Sequence, residues 1–316
     1  MAHQVETMAY AGEVPWHGLG VSVSNDLTPQ QMQQKAGLDW KVEKQDLVTA
    51  SGAKVDGKQA LVRTSDNKVL DVIGKGWNPV QNDEAFDFFS EYVLAGDMEM
   101  NTAGSLRDGN MVWALAKVKD SFTILGEDQV DSYLLFSNPH QYGKAIDVRF
   151  TPIRVVCNNT LSLSLGQRVE KSVSLNHRTQ FNPDSVKETL GIASEKFQLY
   201  KETAEFLSTK RFTVESLVQY YNEVFPRTYQ GKKEITVKDF TDLSSNGQKA
   251  YEVLDTQPGA EFGEGTWWQA LNSVTYLTDH QLGREADTRL TSAWFGANQS
   301  RKVKAVEKAV EYATVA

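Results

Sequence analysis

Cysteine is almost missing from this 316-residue chain: Cys157 stands alone, so no internal disulfide can form and no CxxC pair can hold zinc. Histidine is nearly as scarce, with five residues at scattered positions and no HxH or HExxH spacing, so neither a metal nor another cofactor is expected. Apolar runs are short; those at 133–136 and 153–157, the second interrupted by Arg154, fall far below the roughly 20 residues of a membrane span. The first residues, Met1 to Glu6, lack a charged start followed by an apolar core, which leads to the expectation of a cytoplasmic chain with no membrane partner. Basic charge is in deficit, with 33 Lys and Arg against 41 Asp and Glu for a net of −8. This excludes a molecule coated in positive charge but not a local basic groove.

What is present is an ordinary globular composition, 40% hydrophobic and 23% charged. Residues 39–74 carry short β-prone runs, at 47–49, 60–63 and 69–73, separated by turn residues such as Asp66-Asn67, and read as strands and a hairpin. Asn82-Asp83-Glu84 followed by Phe86, Phe89, Val93 and Leu94 predicts a helix capped by Asn82 and closed by Gly96. Asp108-Gly109 predicts a turn between strands at 102–106 and 111–118. Further strands are expected at 133–136, 145–150 and 169–176. The run 155–165 fits either alternation or a buried helix, and a helix is favoured.

Beyond Asn182-Pro183 the pattern becomes helical. Phe197, Tyr200, Lys201, Ala204 and Leu207 trace one face, Leu217, Tyr220, Tyr221 and Val224 another, and 267–277 and 303–312 add two more. The expected architecture is α+β: an antiparallel β-rich nucleic-acid-binding domain over 1–180 and a helical region over 181–316. Trp267-Trp268 and Trp294-Phe295 suit either a core or a homo-oligomer interface.

Charge is unevenly spread. Residues 79–132 hold eleven acids against Arg107, Lys117 and Lys119, a net of −8, a candidate surface either for docking a polymerase or replication protein or for repelling duplex DNA that would bind unspecifically. Residues 140–178 hold Lys144, Arg149, Arg154, Arg168, Lys171 and Arg178 against Asp147 and Glu170, a net of +4. Basic side chains along strands can follow a phosphate backbone while aromatics between them stack bases. Arg63, Lys75, Arg107, Arg149 and Arg154 are candidate phosphate contacts, with Lys144, Arg168 and Arg178 in the same basic set. Trp77, Tyr142 and Phe150 are candidate stackers, though Phe150 equally suits a core. Asn158 either hydrogen-bonds bases or ends a helix.

Four stretches in order resemble a phage- and plasmid-borne family, the domain of unknown function 932 or phage/plasmid-like proteins. They are Pro15-Trp16-His17-Gly18-Leu19-Gly20; Val72-Ile73-Gly74-Lys75-Gly76-Trp77 with Pro79-Val80-Gln81-Asn82; Thr102-Ala103-Gly104-Ser105-Leu106 with Val112-Trp113-Ala114; and Phe150-Thr151-Pro152-Ile153-Arg154 running on to Leu161. The resemblance implies an origin on mobile bacterial DNA and single-stranded DNA binding in replication, recombination or transcription. Strand annealing and a purely protein-binding modulator are the alternatives.

An enzyme is not expected. Cys157, with His17, His140 and His177 elsewhere, is the one nucleophile-like arrangement, and a lone cysteine in an apolar run is ordinarily a small core residue. Asp83-Glu84 is explained by a helix N-terminus, and a two-metal nuclease would need more acids on strand ends.

Overall fold

A computed structural model describes residues 4–15, 18–155, 159–160, 163–164, 174–175, 183–227, 237–283 and 286–315, with side chains over the same residues except 154, 159–194 and 286–287. It is an α+β protein, with its strands toward the start of the chain and most helices toward the end.

Two sheets form. The larger contains β1 (Val5–Ala11), β2 (Val21–Val23), β6 (Met98–Leu106), β7 (Met111–Ile124), β8 (Asp128–Pro139), β9 (Ile146–Arg154) and β10 (Asn159–Thr160), in the order β10-β9-β8-β7-β6-β1-β2. Two short strands, β11 (Leu163–Ser164) and β12 (Ser174–Leu175), also pair with β9. Pairing is antiparallel at β1–β6, β6–β7 and β9–β10, and parallel at β1–β2. The smaller sheet is the antiparallel meander β3 (Val42–Val48), β4 (Lys54–Arg63) and β5 (Val69–Gly74). Helix α1 (Pro29–Lys35) and helix α2 (Asn82–Ala95) belong to the same part of the chain.

The chain divides into two compact units whose segments interleave: 1–119, 133–150 and 164–194 form the first, and 120–132, 151–163 and 195–316 the second. A single cut near 180, as the sequence suggested, does not describe this division. The stretch 155–165 is likewise corrected: of its described residues, Asn159–Thr160 and Leu163–Ser164 are short strands and Val155 is in a turn. Pairing with β9 supplies these short strands with backbone hydrogen-bond partners.

In the first unit, Met32, Leu38, Trp77, Phe86, Phe89, Met100, Ala103, Ala114, Phe136 and Val148 share one apolar core. Several residues behind the family resemblance build it. Gly104 lies opposite Trp113 across β6–β7, and a Cβ there would come within 2.3 Å of the indole and 2.4 Å of the Thr7 carbonyl. Only glycine leaves that space. Asn82 is buried and does not cap α2; its Nδ2 donates to the Leu38 and Trp40 carbonyls, and its Oδ1 meets His140 Nε2 at 2.9 Å. The cap position is Gln81, whose N–H donates to Glu84 Oε2, while Gly96 closes the helix at φ 74° as expected. The 107–110 turn also forms as read, with positive φ at Arg107, Asp108 and Gly109.

The second unit is mainly helical: α3 (Pro183–Thr209, of which 195 onward), α4 (Val214–Val224), α5 (Ser245–Glu252), α6 (Trp267–Tyr276), α7 (Ala286–Phe295) and α8 (Ala297–Val315), with a π-helical segment at Leu277–Gln281. Trp267 and Trp268 are fully buried. Trp267 stacks on Tyr312 with ring centroids 5.5 Å apart, and Trp268 Nε1 donates to Asp128 Oδ2 at 2.7 Å. Trp294 is buried too, so these tryptophans form a core within one chain and lend no support to an oligomer interface. No helix among the described residues is long and apolar enough to cross a membrane.

Candidate nucleic-acid interface

Tyr142 lies in the loop between β8 and β9 and keeps 41% of its surface exposed, which is uncommon for an aromatic ring in this unit. Its position is fixed by the backbone. The Tyr142 N–H donates to Asp71 Oδ2 on β5 at 2.7 Å, and Asp71 Oδ1 accepts from the Val72 N–H at 2.7 Å. Both carboxylate oxygens are thereby engaged, and the loop is tied to the small sheet. The ring then rests near Gly74, where an added Cβ would lie 3.6 Å from it.

Lys58 pairs in register with Gly74 across β4–β5 and holds its ammonium 5.2 Å from the Tyr142 ring centroid, a cation–π distance. Lys75 follows Gly74 directly, and Lys144 is two residues beyond Tyr142. All three lysines are exposed and have no carboxylate partner among the described residues. The nearby acid Asp46 is held below its ordinary value, chiefly by the hydrogen bond from Lys54, then by Gln59, with a smaller pull from Lys75. The exposed Tyr142 ring and the Lys58 ammonium therefore share one surface, with the exposed residues Lys75 and Lys144 close in sequence to Gly74 and Tyr142.

The other expected contacts go elsewhere. Arg63 is a correction: it is buried, its Nη1 donates to Glu6 Oε2 at 2.8 Å, its Nε and Nη2 grip Asp66, and it lies over the Trp40 ring at 5.4 Å. A guanidinium buried between two carboxylates is not presented to a phosphate in solvent. Its pKa is raised by Asp66 first and Glu6 second, and Asp66 in turn is lowered to about 2 by Arg63. Trp77 and Phe150 are buried core residues, not stackers: Phe150 faces inward from β9 and Trp77 from the turn that follows β5. Arg149 is mostly buried and paired with Asp147 two residues away on β9. Arg107 is exposed on the β6–β7 turn and its Nε is 3.4 Å from Gln4 Oε1. Arg154 has its backbone on β9, with its side chain outside the described residues, as are Asn158, Arg168 and Arg178, together with Trp16, His17 and Cys157.

Of the residues named from sequence, then, Tyr142 lies on this surface, and Lys75 and Lys144 are exposed, next to Gly74 and close to Tyr142 in the chain. Lys58 was missed. The available signal was its place two residues before the apolar run of β4, where a charged residue extends past the covered part of a strand. Among the described residues, no three His, Cys, Asp or Glu side chains gather in a metal-holding arrangement.

The fold and this surface define an α+β protein with an aromatic and basic patch on its β-rich unit. The chain belongs to the family described as domain of unknown function (DUF932), whose model matches residues 69–305. Neither a curated protein nor a solved structure matches it.

Proposed function

We propose that this protein binds single-stranded nucleic acid, DNA in the first instance, with little sequence preference, through Tyr142 and the amines of Lys58, Lys75 and Lys144. The observation that carries the reading is the half-exposed Tyr142 ring with the Lys58 ammonium 5.2 Å from its centroid; Lys58 and the exposed Lys75 and Lys144 have no carboxylate partner among the described residues. A base offers a π-face to the ring whatever its identity, and adjacent phosphates meet the amines, so recognition of this kind is tolerant of sequence. Duplex DNA hides its base faces and gains only the electrostatic part.

The test is fluorescence anisotropy with single- and double-stranded oligonucleotides over a salt series. The expected result is a preference for the single strand and a log–log salt slope of about −2, from about 0.7 per phosphate at three amines. Tyr142→Ala is expected to weaken single-strand binding by about 1–3 kcal/mol while leaving that slope intact. Absence of binding to either oligonucleotide at low salt overturns the proposal. It would turn attention to the outer face of α2, where Asp83, Glu84, Asp87 and Glu91 run toward Leu94, itself 80% exposed, as a surface for a protein partner.

A further inference from the structure

The turn from Gly74 to Asn78 carries an arrangement of backbone groups that the stacking surface does not use. Lys44, on β3, directs its ammonium onto this turn, donating to the carbonyls of Lys75 at 3.3 Å and Trp77 at 3.1 Å, with Asn78 Oδ1 at 3.5 Å. In a trans peptide the C=O and the following N–H point to opposite sides. With the carbonyls of residues 75 and 77 drawn toward Lys44, the N–H groups of Gly76 and Asn78 face the other way. The intervening donors are already committed: the Lys75 N–H goes to the Gly57 carbonyl at 3.3 Å and the Trp77 N–H to the Gly74 carbonyl at 3.0 Å. Gly76 and Asn78 have no acceptor among the described residues, both are exposed, and a Cβ at Gly76 would meet open space.

We infer that this turn is a seat for a phosphate-type anion, formed by the N–H groups of Gly76 and Asn78 with the Lys75 ammonium, and held in shape by Lys44. Backbone N–H groups presented side by side make an anion-binding concavity, and a glycine allows close approach. Lys44 is a positioning residue here: its charge lies on the carbonyl side, where it fixes and polarises the two peptide units and does not meet the anion. The buried Trp77 ring anchors the end of the turn. The anion could be free phosphate or a phosphate of a nucleic-acid strand; the second source rests on the reading of the Tyr142 surface, whereas the seat itself does not.

Amide-detected NMR on the full chain separates these. Titration with inorganic phosphate, against chloride at matched ionic strength, is expected to shift the Gly76 and Asn78 amide resonances saturably, with Lys75 and Trp77 amides less affected. Lys44→Met is expected to abolish the response although Lys75 remains, and Lys44→Arg to restore it. Lys75→Met is expected to weaken it several-fold. A hexathymidylate is expected to shift the same two amides. Unmoved Gly76 and Asn78 resonances in the unaltered protein overturn the seat, whether or not the oligonucleotide binds. A phosphate response without oligonucleotide binding leaves the seat in place and removes the nucleic-acid reading.

Discussion

Lys58 and Arg63 lie on the same strand and have opposite fates. Lys58 extends beyond the covered part of β4, whereas Arg63 enters the interior at its end and meets Glu6, 57 residues away in sequence, as well as Asp66 in the following turn. A buried guanidinium stabilises the fold only while its carboxylates are in place, because each buried charge without its partner carries a desolvation cost of several kcal/mol. Arg63→Met is expected to destabilise the protein by about 3 kcal/mol, read by chemical denaturation at neutral pH. The pH dependence has a definite sign. Asp66 is lowered to about 2 by Arg63 from an ordinary 3.8, so its pairing contributes fully above the ordinary value and is lost as pH falls through the folded one. The gap in stability between the unaltered protein and Arg63→Met should therefore narrow between about pH 4 and pH 2. A constant gap across that range would show that Arg63 acts through packing on Trp40 alone.

Among the elements, the π-helical segment and α8 are joined by a buried ion pair. Lys302 Nζ donates to Asp279 Oδ1 at 2.6 Å with both side chains essentially inaccessible, and Asn298 Nδ2 donates to the Thr278 carbonyl beside it. Burial pushes the Lys302 ammonium below its ordinary value, and Asp279 pulls it back. Removing one partner strands the other charge. Lys302→Met is expected to cost about 3–5 kcal/mol, and adding Asp279→Leu to recover much of the loss. Equal instability of the single and double variants would show that the pair is needed to keep the π-turn itself. The elements most easily read from sequence were those whose signals are local. The α2 helix, its Gly96 terminus and the 107–110 turn depend on neighbours within a few residues. Asn82 misled because its local pattern resembles a cap while its side chain is claimed by Leu38, Trp40 and His140.

At the scale of the whole molecule, the net charge of −8 repels any polyanion, so attraction must come from a local surface and should be sensitive to salt. The two compact units also exchange segments along the chain. Phe122 packs on Phe197 at 5.3 Å and Asp128 accepts from Trp268, which puts part of the strand-rich sequence into the helical unit's core. A fragment of residues 181–316 is accordingly expected to lack a fixed tertiary structure, seen as loss of near-ultraviolet circular dichroism and rapid proteolysis. A well-folded fragment would mean that residues 120–132 are dispensable to that core.

The sequence by itself determined the α+β order, the hairpin turns, the onset of the helical half and three members of the candidate surface, because turns, helix faces and charged loop residues are written in short-range patterns. It could not tell which arginines and aromatics are covered. Successive strand residues point to opposite faces, and the side that becomes interior depends on partners far away in the chain. The tertiary structure decided that Arg63, Trp77 and Phe150 face inward, that Lys58 joins Tyr142, and that Lys44 grips the turn after Gly74. In each case the reason is a pairing across elements, a carboxylate, a ring or a carbonyl that only folding brings within reach.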